Sequence, residues 1–307
     1  MKTVSFAIPV YRNQGSLRLT YERIDALFKS KLAAFEYEIV FVDDGSDDNS
    51  SNELLELHEN DKRVKIISFS RNFGQLAALS AGLSSVGGDC SVVMSADLQE
   101  PVELIEQMVL EWEKGSEIVI GHRIDREDDM FSRFTSRVFY SMMRLFLPKL
   151  PSGGFDFCLL DRKCVDELNK VREKNKFFQG DIVSLGFNVK FIPYKRLKRT
   201  IGKSQWTFAK KVKFLLDSII STSYVPLRFM SLLGFLTALM GVLYGAVIVY
   251  SRMANRTPFT GWAPIMILLL VIGGVIMLML GIIGEYIWRI YDEVKQRPTY
   301  IIKDKIF

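Results

Sequence analysis

Hydrophobic and polar positions follow two rhythms along this chain. Over the first 125 residues, short apolar runs alternate with stretches in which apolar residues return every three or four positions. The runs at 3–10, 38–42, 64–69, 90–94 and 118–120 predict buried strands. The stretches at 16–29, 48–60, 73–86 and 102–114 predict helices. In the first of these, Leu17, Tyr21, Ile24, Leu27 and Phe28 form one stripe. Asp47 or Asp48 is placed to cap the second, and Pro101 opens the fourth at a favoured first-turn position. Strands alternating with helices imply parallel βαβ units with right-handed crossovers. The fold class is therefore α/β, with a Rossmann-like, parallel-rich sheet. Residues 126–190 are less regular, with a helix expected at 132–147 and a late strand at 190–193.

The rhythm changes after residue 195. Residues 195–213 hold eight basic side chains and no acidic one. From Phe208 the apolar positions Val212, Leu215, Leu216, Ile219 and Ile220 keep helical spacing beside Lys210, Lys211 and Lys213. An amphipathic helix at 207–225, lying on an anionic membrane surface, is expected. Residues 229–250 and 262–284 then run 22 and 23 positions without a charge. A helix needs about 20 such residues to cross a hydrocarbon core, so two transmembrane helices are expected within 226–288. Basic residues flank the pair on the outside (Arg228, Arg289, Lys295, Arg297), while the connecting loop holds only Arg252 and Arg256. By the positive-inside rule, residues 1–206 form a cytoplasmic domain and 289–307 a cytoplasmic tail.

Composition narrows the chemistry. A net charge of +5 is too mild to argue for nucleic acid. Cys90, Cys158 and Cys164 form no C-x-x-C pair, and His58 and His122 cannot build a histidine-rich metal site. The apolar run at the N-terminus is broken by Pro9 and too short for a signal peptide.

In open parallel sheets, ligands sit at the carboxyl ends of the strands. Five predicted strand ends here are polar: Pro9, Tyr11, Arg12 and Asn13; Asp43, Asp44, Gly45 and Ser46; Arg71, Asn72 and Gly74; Asp97, Gln99 and Glu100; Gly121, His122 and Arg123. Neither G-x-G-x-x-G nor G-x-x-x-x-G-K-[ST] occurs at these ends, which leaves no fingerprint for a dinucleotide or P-loop site. Carboxylate and amide oxygens suit Mg²⁺ or Mn²⁺ bridging the phosphates of a substrate. Asp97 and Gln99, two apart, point the same way if their segment is extended.

The segments AIPVYRN, IVFVDDGSDDNS, SFSRNFGQLAALSAGL and SADLQEP resemble, in order and spacing, the catalytic domain of glycosyltransferase family 2. With RTIGKSQW at 199–206, two apolar spans and the tail GEYIWRIYDEVKQRPTY, the whole chain resembles the polyprenyl-phosphate glycosyltransferases of that family. The resemblance implies a glycosyltransferase A-type fold and inverting transfer of a sugar, glucose favoured, from a UDP-sugar to undecaprenyl phosphate. It places Pro9, Tyr11, Asp43, Asp44 and Arg71 at the uridine, and Asp97 and Gln99 on Mg²⁺ or Mn²⁺ at the diphosphate. Arg199 and Ser204 fall in a loop closing over the donor. Arg123, Arg133, Ser136 and Arg137 meet the lipid phosphate. Apart from the resemblance, Asp156 and Asp181 are the reserve candidates for orienting the acceptor. The resemblance further implies a multi-pass protein of the bacterial inner membrane, a homotetramer, and a product used to modify a surface polysaccharide such as O-antigen.

The chain departs from the family pattern at several points. Ser95 stands where Asp-x-Asp has its first aspartate; its hydroxyl can still serve a phosphate or a metal-bound water, but it brings no charge. Arg12-Asn13 replaces the usual Asn-Glu. Gly153, Phe155 and Cys158 replace the usual Asp, Gly and Arg of a D-x-G-D-F-R-L segment, and Ser132 replaces an arginine. Two rival readings follow. A processive polysaccharide synthase usually carries Q-x-x-R-W and more spans, which this chain lacks. A catalytically degenerate membrane subunit that binds nucleotide-sugar or acts as a scaffold draws on Ser95 and Cys158.

Overall fold

The computed structural model describes residues 1–125, 140–141, 143–144, 147–151, 153–171, 177–195, 225–254 and 263–307. The chain divides into two compact units, Met1–Ser218 with Pro298–Phe307, and Ile219–Arg297.

The first unit is built on one sheet. Its strands are β1 (Lys2–Val10), β2 (Phe35–Asp43), β3 (Val64–Phe69), β4 (Cys90–Val93), β5 (Ile118–Asp125), β6 (Cys158–Asp161), β7 (Val189–Lys195) and β8 (Ile302–Ile306). They lie in the order β7-β5-β6-β4-β1-β2-β3-β8. β1 pairs in parallel with β2 and β4, β2 with β3, and β5 with β7. β6 runs antiparallel between β4 and β5, and β8 antiparallel along β3. The helices are α1 (Leu17–Ser30), α2 (Ser50–Asn60), α3 (Gln75–Ser85), α4 (Leu104–Glu113), α5 (Arg162–Lys170) and α6 (Phe178–Ser184). The expected α/β, parallel-rich architecture is present.

The sequence explains the layering. β1 is apolar on both faces because both are covered. Phe6 and Ile8 enter a core with Leu17, Ile24, Leu54, Ile105 and Met108 from α1, α2 and α4. Ala7 faces α3, and there only a small residue fits: a Cβ on Gly82 would stand 3.2 Å from that of Ala7.

Two strands were not foreseen. β6 has four residues, Cys158–Asp161, in a region without a clear alternation of strands and helices. β8 falls in the expected tail at 289–307. Its residues alternate Ile302, Asp304 and Ile306 with lysines between, a half-polar pattern that suits a strand on the sheet edge. The capping expectation for α2 also changes. Asn49 is the cap residue, without a side-chain cap bond; Asp48 accepts from the Ser50 N–H at 3.0 Å, while Asp47 pairs with Arg12.

The second unit holds α7 (Val225–Met253) and α8 (Ala263–Val294). Within them, Leu227–Ser251 and Leu268–Val294 have mean hydropathies of 2.3 and 2.5. At 1.5 Å per residue each exceeds a hydrocarbon core of about 30 Å. Both are long and apolar enough to cross a membrane, and leave large side chains such as Phe235 and Leu270 exposed.

Candidate functional site

Because β1, β2, β3 and β4 are mutually parallel, their carboxyl ends share one edge of the sheet. The loops leaving them are tied together by their own polar groups. Asp44, almost fully buried, accepts from the backbone N–H groups of Phe73 (2.6 Å) and Gly74 (2.9 Å). Its own N–H donates to the Val10 carbonyl at 2.8 Å. Burial raises the Asp44 pKa above the usual carboxylate range; those two N–H groups oppose the rise and neighbouring Asp43 adds to it. Gly45 has φ +68°, and a Cβ there would stand 2.6 Å from the Arg71 carbonyl carbon. That position needs glycine for both its dihedral and its space. One carboxylate and one glycine thus join the ends of β1, β2 and β3.

Asp43 accepts from the Ser46 N–H (3.0 Å) and the Ser51 hydroxyl (2.6 Å). Tyr11 donates its N–H to Asn13 Oδ1 at 2.9 Å, and Asn13 donates its own to the Ser50 hydroxyl at 3.0 Å. Arg12 takes φ +55° and donates its N–H to the Ser46 hydroxyl. Its guanidinium binds Asp47 through two bonds, 2.6 and 2.5 Å. The departure at position 12 therefore has a local partner. Pro9 is half-buried at the end of β1. Arg71 is exposed, its guanidinium 4.1 Å from the Phe73 ring centroid.

At the end of β4 the segment turns. Leu98 has φ +59°, so Asp97 and Gln99 do not lie on an extended stretch, and the expectation that pleating alone aims them together is corrected. The turn closes on Asp97 Oδ1, which accepts from the Gln99 N–H at 3.2 Å and from Ser95 Oγ at 2.8 Å. Ser95 Oγ also lies in very short contact with Glu100 Oε2. A hydroxyl has one proton and cannot donate to both carboxyl groups. Glu100 is fully buried; burial and then the charge of Asp97 push its pKa up to about 7, against the Ser95 bond that lowers it.

Arg123 lies inside β5 and not beyond it. β7 runs alongside and carries the ladder as far as Asp125, so Gly121, His122 and Arg123 are strand residues. The Arg123 side chain is only 7% exposed and forms a very short ion pair with Asp156, whose side chain is 46% exposed. Its Nε donates to the Tyr194 hydroxyl at 3.3 Å. Burial opposes the Arg123 charge, but Asp156 and Tyr194 outweigh it and the pKa is raised. Asp156 also accepts from Gln179 Nε2 at 3.3 Å, and Gln179 accepts from the Tyr140 hydroxyl at 3.3 Å. Asp181 stands in the first turn of α6. Arg133, Ser136, Arg137, Arg199, Ser204 and Trp206 lie outside the described residues, as does most of the expected helix at 207–225.

The residues at the β4 turn fit a divalent cation. Among the described residues no three His, Cys, Asp or Glu side chains gather as a metal-binding group. Asp97 and Gln99 are oxygen donors of the kind hard cations take alongside substrate phosphates. Beside them, Oε1 of Glu100 is buried with no hydrogen-bond partner among the described residues. A partial shell of this kind is one that a diphosphate can complete. Glu100, Gln179 and Tyr194 belong to these networks, and sequence patterns assigned them no role. Glu100 lay inside the SADLQEP segment, among the polar strand ends; Gln179 and Tyr194 are brought in by α6 and β7, from a region without a clear periodicity.

Known proteins resemble this chain over most of its length. The profile of Glycosyl transferase family 2 matches residues 5–168, and that of the GtrB C-terminal hairpin matches residues 225–290. The glycosyltransferase YkcC of Bacillus subtilis is 37% identical over 97% of this chain and 93% of its own length. The SfII prophage-derived bactoprenol glucosyl transferase of Shigella flexneri is 33% identical over 98% of this chain and 97% of its own. Among solved structures, glucosyl-3-phosphoglycerate synthase from Mycobacterium tuberculosis superposes with a TM-score of 0.50 at 15% identity. It covers 71% of this chain and 80% of its own, and shares the fold.

Proposed function

This chain belongs to glycosyltransferase family 2, and from that premise we propose that it transfers a sugar, glucose favoured, from UDP to undecaprenyl phosphate at the cytoplasmic face of a bacterial inner membrane. One observation carries the reading. The end of the sheet that gathers Asp43, Asp44, Arg71 and Asp97 belongs to a chain that continues into two helices apolar enough to span a bilayer. A lipid-borne acceptor accounts for both. The bactoprenol glucosyl transferase relative, similar over its whole length, supports it.

The chemistry fits the residues. A phosphate monoester has a second pKa near 6 and arrives largely deprotonated, so little help from a general base is needed. Pro9, Tyr11 and Arg71 border the uridine, with Asp43 and Asp44 holding their loops. Asp97 and Gln99 hold Mg²⁺ or Mn²⁺, with Ser95 and Glu100 behind them. When bound, the cation supplies Lewis-acid neutralisation of the leaving diphosphate. Arg123 offers a planar fork for phosphate oxygens, and Asp156 fixes its orientation. With Arg133, Ser136 and Arg137 it forms the proposed acceptor end, while Arg199 and Ser204 close over the donor. Displacement is in line, with inversion. The product supplies sugar for a surface polysaccharide such as O-antigen, and the assembly is a homotetramer.

A second reading draws on Ser95 and Cys158: a membrane subunit that binds nucleotide-sugar without turnover. One experiment separates the two. The purified protein, with undecaprenyl phosphate and Mg²⁺ or Mn²⁺, is offered a panel of radiolabelled UDP-sugars. Label entering the lipid phase, and lost in Asp97→Ala, supports transfer and names the donor. UDP binding without any transfer supports the second reading.

A further inference from the structure

The last strand of the sheet comes from the far end of the chain. β8 follows α7 and α8 in sequence, yet pairs with β3, whose end leads into the Arg71 loop. The β3–β8 register shifts between Ser68 and Phe69, where that loop begins. The pairing continues past the shift, with the Ser70 N–H donating to the Ile301 carbonyl at 3.0 Å.

There a column of rings starts. Tyr300 stacks on Phe69, ring centroids 5.0 Å apart and planes 12° apart. Phe69 meets Phe73 edge-on at 5.7 Å and 89°. Phe73 in turn carries the Arg71 guanidinium, 4.1 Å from its centroid. The Phe73 backbone is held by Asp44, and its ring rests on Phe69. Phe69 is 3% exposed, with Tyr300 closing one of its faces. Arg71 is exposed and donates to the neighbouring Asn72 carbonyl at 3.2 Å, so the ring beneath it helps restrain its direction.

We propose that Tyr300 is a positioning residue for the donor: by stacking on Phe69 it fixes Phe73, and through Phe73 it aims Arg71 at the nucleotide. This rests on the reading of Arg71 as a donor contact. The C-terminal segment is then part of the donor site, although it lies about 230 positions from Arg71 in sequence. An aromatic pair contributes a fraction of the energy of a full contact, so its loss is felt in affinity and not in the chemical step.

The test uses the full-length protein in detergent, with UDP as probe. Four variants are compared for UDP dissociation constant, KM against kcat, and melting temperature: Arg71→Ala, Tyr300→Ala, Tyr300→Phe and Ile306→Ala. Ile306 packs on the core from β8 and does not belong to the ring column, so it reports loss of the strand's packing alone. Tyr300→Ala is expected to weaken UDP binding and raise KM roughly three- to tenfold, with kcat within about twofold. Tyr300→Phe restores wild-type values. Ile306→Ala lowers the melting temperature without moving UDP affinity. If Arg71→Ala weakens UDP binding and Tyr300→Ala does not, the inference falls while the donor reading stands. It falls in the same way if Tyr300→Ala and Ile306→Ala lose affinity together, in step with stability. If Arg71→Ala leaves UDP binding intact, or the wild type does not bind UDP, the donor reading falls and takes this inference with it.

Discussion

The hydroxyl of Ser95 stands 2.8 Å from Oδ1 of Asp97, where an Asp-x-Asp sequence would set two carboxylates. The same hydroxyl touches Glu100, so a second carboxyl group is present, buried and displaced by five positions. Replacing Ser95 by aspartate therefore does not simply restore a pattern. It places a third carboxyl group against two others, and like charges at this range oppose one another until a cation arrives. Ser95→Asp is expected to lower the melting temperature of the metal-free protein by an amount corresponding to ~1–2 kcal/mol. It is also expected to tighten Mn²⁺ binding by roughly tenfold. Melting curves with and without Mn²⁺ check both. An unchanged metal-induced shift would show that Ser95 is not at the cation.

Asp44 holds two backbone donors in a buried place. Asp44→Ala leaves the Phe73 and Gly74 N–H groups without their acceptor, at a cost of about 1–3 kcal/mol. Because those groups anchor the Arg71 loop, affinity for UDP falls as well. Asp44→Asn keeps one acceptor oxygen and is expected to lie between the two. Calorimetric titration with UDP beside thermal melting reads both effects. A destabilised Asp44→Ala protein with wild-type UDP affinity would separate the loop from the donor.

Asp61 gives a pH dependence whose sign can be worked out. Burial raises its pKa, but bonds from the Arg63 side chain and N–H and from the Tyr21 hydroxyl outweigh that and hold it at about 2. A carboxyl lowered in the folded state contributes fully above its ordinary value of 3.8 and loses its contribution as pH falls toward 2. Arg63 is 46% exposed, so solvent screening reduces the contribution to about 1 kcal/mol. The melting-temperature gap between wild type and Asp61→Asn should be constant above about pH 5 and shrink below about pH 4. A gap that widens on acidification would reverse the assignment.

The legible parts of this fold are those set by local pattern. β1 to β4 and α1 to α4 announce themselves by period, and the polar strand ends follow from parallel pairing. Three features escape for physical reasons. The positive φ of Leu98 comes from a turn closed by side-chain and backbone bonds to Asp97, which spacing alone does not encode. β6 is held by antiparallel pairing with β4 and β5, and sits outside the alternation of strands and helices that marks the parallel strands. β8 is an edge strand whose partner lies far away in sequence, and its lysines read as tail. Arg123 and Asp156 could each be singled out by residue type. Their pairing depends on β5 and on the segment entering β6, elements that meet only in the folded sheet.

That pairing yields the sharpest separation of stability from chemistry. Arg123 is nearly sealed and keeps its charge, so Asp156→Ala leaves a buried guanidinium without its counter-ion. Because Asp156 is 46% exposed, breaking the pair costs less than the roughly 3–5 kcal/mol of a fully buried one, while replacing both partners by apolar groups is often close to neutral. The double variant Arg123→Met/Asp156→Ala should therefore melt near the wild type, well above Asp156→Ala alone. Turnover is expected to behave differently. If Arg123 receives the acceptor phosphate and Asp156 orients it, the double variant regains its fold but not its activity, with kcat down by about 10²-fold or more. Melting and lipid-phase label transfer on the two single variants and the double complete the cycle. Recovery of turnover together with stability would make the pair a structural strut and move the acceptor site elsewhere.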